Sequence, residues 1–308
     1  MRNEFTAELL EHAKKDPNIL LLTADLGFSV FEEFAAACPD QYLNTGCAEA
    51  NTLTMAAGLA LSGKKVFVYS IIPFVTMRCF EQVRVDVCMH NADVTIVGVG
   101  GGLAYGQLGP THHSIEDISI MRSIPNMKVI CPGDPIESRL ATRALIQEGG
   151  PAYVRLNKKN EPIFTESDVL FQIGKALTTR DGADLTLIST GGMLPVAMEV
   201  AGQLAEQKLE TRVLSMHTVK PLDIEAIDKA IAETSNLFTL EEHSLIGGLG
   251  SAVAEYISEH PREAQPQTFH RFGINDRFTK TSGDQEHLRG LHGLNSDQIT
   301  DAILGKMK

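Results

Sequence analysis

Short apolar runs, each ended by polar residues or glycine and followed by a helical pattern, recur along the first half of the chain. They are NILLLTADL (residues 18–26), a run near Tyr42, KKVFVYS (64–70), DVTIVGV (93–99), KVICPGD (128–134) and PAYVRL (151–156). Helical stretches lie between them, at about residues 31–38, 49–62 and 77–90, with a further one beginning near Ser114. Runs this short and this apolar read as strands buried on both faces, and their alternation with helices predicts a doubly wound parallel sheet. Polar and turn-forming residues from Asn157 to Asp168 interrupt the pattern, and a second series follows. Its strands are LTLISTG (185–191), TRVLSM (211–216) and LFTLEE (237–242), with helices such as PVAMEVAGQLAEQ between them and a last helix at about 298–306. The expected fold class is therefore α/β, with two doubly wound domains of mainly parallel sheet, residues 1–160 and 161–308.

A length of 308 residues suits two domains, each burying its own core. The net charge of -12, without any Lys/Arg run, argues against nucleic acid or an anionic membrane surface as partner. No apolar run approaches the ~20 residues that span a bilayer, and the N-terminus reads as an amphipathic helix, not a signal core. Five cysteines, odd in number and without a CxxC pair, fit reduced thiols in the cytoplasm.

The loop GPTHH (109–113) places two imidazoles where no regular structure recruits them, just beyond a buried strand, where α/β proteins bind ligands. His112 and His113 with Glu116 and Asp117 invite a metal reading, but adjacent histidines rarely ligate one ion; ligand contact, proton transfer and a structural role stay open. In TGCAEANTLTMAAGLALSG (45–63) the one acid is Glu49. It is either a first-turn acid favoured by the helix dipole or a semi-buried carboxylate of raised pKa that bonds a ligand nitrogen. The glycines of GVGGGLAYG (98–106) miss the GxGxxG spacing, because position 103 is Leu. GGLGS (247–251) suits either a phosphate cradle or a tight strand-to-helix turn.

Taken in order, TADL (23–26), GCAEANTLTMAAGLA, RCFEQVR (78–84), GPTHHSIEDISIMRSIPN, CPGDPIE and LEEHSLIGGLGSAVAE resemble the C-terminal half of a transketolase almost end to end. They are similar also to the matching half of 1-deoxyxylulose-5-phosphate synthase. The resemblance implies a pyrimidine-binding domain of a thiamine diphosphate enzyme followed by a transketolase C-terminal domain. It implies that Glu49 is the catalytic glutamate, whose hydrogen bond to N1′ of the aminopyrimidine promotes the imino tautomer, and that His112 bonds substrate oxygens and assists proton movement. Asp25, Leu26 and Arg78 fall in the cofactor region, and Phe74 is the candidate for the aromatic against the pyrimidine. Lys158 falls where the family holds a substrate phosphate, and His113 stands where the family usually has Gln.

Two departures bear on the substrate. The family's acid before GPTH is Leu108 here, and an earlier phosphate-contacting His is Gly100. A larger departure is the lack of the GDG and downstream Asn that hold the diphosphate and its Mg2+ or Ca2+; RDGAD (180–184) lacks both the first glycine and the Asn. The resemblance thus implies a second chain with the GDG…N motif, an α2β2 heterotetramer, and a sugar or sugar phosphate as substrate. The β subunit of a 2-oxoacid dehydrogenase E1, an acyloin-forming synthase and a non-catalytic scaffold are the alternatives.

Overall fold

A computed structural model describes residues 1–158, 161–260 and 266–307. The first six apolar runs become β1 (Ile19–Thr23), β2 (Tyr42–Asn44), β3 (Lys65–Ile71), β4 (Val94–Val99), β5 (Lys128–Ile130) and β6 (Ala152–Leu156). Beyond them lie β7 (Leu177–Arg180), β8 (Leu185–Ser189), β9 (Thr211–Ser215), β10 (Thr218–Lys220), β11 (Asn236–Ser244) and β12 (Thr268–Ile274). They form a seven-stranded sheet in the order β10-β5-β6-β4-β3-β1-β2 and a five-stranded sheet in the order β12-β11-β8-β9-β7. All pairings are parallel except β10 on β5 and β7 on β9, so the expected α/β fold with mainly parallel sheets holds.

The strands of the first sheet are apolar throughout because both faces are covered. Alternate residues Leu22, Val66, Val68, Val94 and Ile96 pack with Leu53 and Ala56 of helix α3 (Glu49–Leu61) and with Val83 and Val87 of a π-helix (Val83–Met89). Their neighbours Ile19, Leu21, Phe67, Tyr69 and Val97 pack on the other face with Phe5 and Leu9 of helix α1 (Arg2–Ala13) and with the helix Pro135–Glu148. That inversion from one residue to the next is the period of two expected of a strand.

Three stretches differ from the sequence expectation. Residues 77–90 are not one helix: a turn at Ile72–Val75 and a short piece at Phe80–Gln82 lead into the π-helix. The Thr76 hydroxyl donates to the Ile72 carbonyl at 2.6 Å and the Cys79 thiol to the Val75 carbonyl at 3.1 Å, holding this irregular entry in place. The helix expected near Ser114 starts at Asp117, because Ser114 and Gly102 exchange two backbone hydrogen bonds and keep the chain extended. Finally β10, from the second series, completes the edge of the first sheet. In the reverse direction, Leu103 and Ile115 of the first series lie in the core of the second, with Leu240, Phe272 and Leu288.

Candidate functional site

The site forms at the carboxyl ends of the first sheet. β1 is followed by a crossover to β2 on one side and β3 by a crossover to β4 on the other, so the β1/β3 boundary is a topological switch point, where ligand crevices open in such sheets. Glu49 is the first residue of α3. It is only 5 % exposed, and Arg78 Nη1 donates to its Oε2 at 2.8 Å. The Arg78 side chain is itself half exposed, and its Cζ lies 4.3 Å from the centroid of the Phe74 ring. Phe74 meets His112 edge-on at 5.2 Å between ring centroids, and His112 meets Tyr105 at 6.3 Å. The Thr111 hydroxyl lies 3.0 Å from His112 Nδ1, and Lys158 Nζ stands 4.8 Å from the Tyr105 ring. Glu49, Arg78, Phe74, His112 and Lys158 thus fall into one row, with Tyr105 as a member that sequence reasoning missed.

One cavity opens on the Tyr105–Lys158 end of this row, and a second lies at the ends of β1 and β2. The first, of about 400 Å³, is lined by Tyr105, Gln107, Leu108, Lys158, Asp284 and Gln285. The second, of about 230 Å³, lies beside Asp25 and Leu26, with Phe28, Phe31, Tyr42 and Asn44. Asp25 and Asn44 exchange two 3.0 Å hydrogen bonds, and the thiol of exposed Cys47 donates to Asp25 Oδ2 at 3.9 Å. Gly100, which stands in place of the family's histidine, has φ +93°, and a Cβ there would sit 2.1 Å from the Tyr105 ring. That space belongs to Tyr105.

His113 does not join the row. It is 5 % exposed, bonds the Gly106 backbone, and lies in the field of Glu242; burial holds its imidazole below the ordinary histidine pKa. Nor do His112, His113, Glu116 and Asp117 converge. Asp117 is fully buried and bonded to Arg155 Nε at 2.8 Å and the Tyr153 hydroxyl at 2.6 Å. Burial alone would raise its pKa, but the Arg155 charge and the Tyr153 bond bring it below the usual carboxylate value. Among the described residues, no group of three or more His, Cys, Asp or Glu side chains is placed to hold a metal ion.

Arg155, on β6, ties the chain after the GPTHH loop to β11 of the second sheet, since its Nη2 donates to the Ser114 and Glu242 carbonyls at 2.9 and 3.0 Å. The GGLGS turn also has its partner within the chain. Glu241 accepts from the Leu249 and Gly250 amides at 2.7 and 2.8 Å, occupying the start of the helix Leu249–Glu259. A Cβ on Gly248 would lie 2.0 Å from Glu241 Oε2, so the glycine makes room for that carboxylate, and the turn reading replaces the phosphate one.

Residues 1–162 match the family described as "Transketolase, pyrimidine binding domain", and residues 174–299 match "Transketolase, C-terminal domain". The chain belongs to the transketolase family. Among relatives within it, an apulose-4-phosphate transketolase subunit of Phocaeicola vulgatus is 42% identical over 309 residues, covering 100% of this chain and 97% of that one. "6-deoxy-6-sulfo-D-fructose transketolase subunit SqwH" of Clostridium sp. is 37% identical, covering 98% and 92%. A solved transketolase described as "Split gene transketolase, inactive beta4 tetramer" superposes with a TM-score of 0.88 at 33% identity, covering 99% of this chain and 97% of that one.

Proposed function

We propose that this chain is the pyrimidine-binding and C-terminal subunit of a two-chain, thiamine diphosphate-dependent transketolase, which moves a two-carbon ketol unit from a ketose to an aldose. The observation that carries this reading is the continuous row from buried Glu49 through Arg78, Phe74 and His112 to Lys158, in a chain of this family that lacks the GDG and Asn. Its domains are taken as residues 1–160 and 161–308.

The row fits the pyrimidine half of the cofactor. A buried carboxylate and a flat apolar ring lie within reach of one guanidinium, so Glu49 and Phe74 are the pair that would hold a heteroaromatic ring there, with Arg78 at the edge of the same crevice. Glu49 would bond the ring nitrogen, and Phe74 would contact the ring. The Arg78 side chain is half exposed and has solvent to move into, and the ring nitrogen would replace it as the partner of buried Glu49. Asp25 and Leu26 line the neighbouring wall. When bound, thiamine diphosphate supplies the nucleophilic carbon that breaks and remakes the carbon–carbon bond. His112, edge-on to Phe74, bonds the substrate's oxygens and moves a proton as charge develops on them. Lys158 holds the oxyanion at the far end of the substrate, as a point charge without arginine's fork, and Leu108 lines its path. His113 is a support of the loop.

The diphosphate and its Mg2+ are assigned to a partner chain bearing GDG…N, in an α2β2 assembly. The related structure, described as an inactive tetramer of one chain type, fits a subunit that needs its partner. The unpaired cysteines fit a cytoplasmic setting, and no described helix is long and apolar enough to cross a membrane.

The test is reconstitution. This chain, its partner, thiamine diphosphate and Mg2+ are mixed and offered ketose donors and aldose acceptors. Two-carbon transfer is expected from the mixture and from neither chain alone; a well-assembled pair that transfers nothing sinks the reading.

A further inference from the structure

The larger of the two cavities is built by both halves of the chain. Its inner wall is the loop of Tyr105, Gln107 and Leu108 with Lys158, and its outer wall is Gly283, Asp284 and Gln285, from a region for which the sequence offers no role beyond folding. We propose that this outer wall of the C-terminal half determines specificity at the distal end of the substrate, with Asp284 setting which terminal groups are accepted. The proposal rests on the transketolase reading above.

Four observations support it. First, the wall is fixed against the loop: a Cβ at Gly106 would lie 2.6 Å from the Gly283 carbonyl and 2.6 Å from Leu288. Second, buried Glu242 links wall and loop. It accepts from the Leu103 amide at 3.2 Å, from Gln285 Nε2 at 2.8 Å and from Arg289 Nη2 at 2.8 Å. Third, Lys158 has no carboxylate within ion-pair distance among the described residues, so its ammonium is available to a ligand in the cavity. Fourth, Asp284 brings a negative charge to the same cavity. Its Oδ1 caps the helix Gln285–Leu291 by accepting from the His287 amide at 2.8 Å, and the residue is exposed.

A terminal oxyanion entering this cavity meets one cation and one anion. Phosphate carries about -1.5 to -2 charges at neutral pH, whereas a sulfonate carries one, so the Asp284 carboxylate opposes the first more than the second. A neutral hydroxymethyl end is indifferent to it. In this arrangement Lys158 attracts any oxyanion and Asp284 grades them by charge.

The reconstituted two-chain enzyme is assayed with L-erythrulose, fructose, fructose 6-phosphate and 6-deoxy-6-sulfofructose as donors and one fixed acceptor. The chain carries Asp284, Asp284→Asn or Asp284→Lys. Asn keeps the helix cap and removes the charge; Lys reverses it. Along that series KM for fructose 6-phosphate is expected to fall roughly three- to tenfold per step at low salt, less at high salt. The sulfonate should respond less, and erythrulose and fructose should not change. Competitive inhibition by inorganic phosphate should tighten in the same order. Equal shifts for charged and neutral donors, or no shift for the phosphate, overturn the proposal while activity with erythrulose leaves the transketolase reading standing. No transfer from any donor by the unsubstituted pair means that the reading itself has failed.

Discussion

Arg78 engages both groups that a pyrimidine ring would need, the Glu49 carboxylate at 2.8 Å and the Phe74 face at 4.3 Å. The Arg78 side chain is half exposed, so it keeps access to solvent if a ligand ring takes its place beside the buried Glu49. Glu49→Gln keeps an oxygen that can accept from Arg78, so the chain should still fold and assemble, while turnover of the reconstituted enzyme falls on the order of a hundredfold or more, as for loss of a general acid–base group. Turnover near normal would remove Glu49 from its assigned role. At this scale Glu49 and His112 stood out as candidates because each sits in a motif that keeps its order along the chain, whereas Phe74 and Lys158 lie outside those motifs and were named only from their position in the resemblance. Tyr105 was hidden in a glycine-rich stretch read only for its failed nucleotide-binding spacing. Asp284 lies in no quoted motif, and Glu242, though inside LEEHS, gave no sign that it reaches the loop from more than a hundred residues away.

Among elements, the helix Pro135–Glu148 carries an acid with no solvent. Glu137 Oε2 accepts from the Gly133 amide, Thr165 approaches its other oxygen at 3.5 Å, and burial pushes its carboxyl up to about 7. Because the folded value lies above the unfolded one, this group's contribution to stability is full below about pH 4.5 and is lost as pH rises toward 7. The loss is on the order of 3 kcal/mol at most. Glu137→Gln should thus gain in melting temperature over the unsubstituted protein as pH is raised from 5 to 8; a difference flat with pH would contradict the burial argument. The strongly apolar strands β1, β3, β4, β6, β8 and β9 were readable because both faces are buried. β12 was missed because its first four residues are only partly buried and break the apolar run, and β10 because three residues at an edge carry almost no pattern.

For the molecule as a whole, the two halves are interlocked in both directions. β10 joins the first sheet, Leu103 and Ile115 enter the second core, and Arg155, with only 3 % side-chain exposure, bonds across both. Calorimetry should accordingly show one unfolding transition, with van't Hoff and calorimetric enthalpies in agreement; two resolved transitions would show that the halves are independent. Opening Arg155 from Asp117, as in Arg155→Leu, strands a buried carboxylate and should cost about 3–5 kcal/mol. Two series of strands were legible from the change in pattern, but their interlock was not, because it rests on contacts distant in sequence.

The position of β10 also bears on synthesis. As the chain leaves the ribosome, β1 to β6 emerge well before β10, so β5 waits with an unpaired edge while more than sixty further residues are made. An open strand edge is a template for pairing with another chain. The nascent protein is therefore most vulnerable to aggregation between the completion of β6 and the arrival of β10, and a stop codon or pause in that interval leaves an open-edged sheet rather than a finished domain.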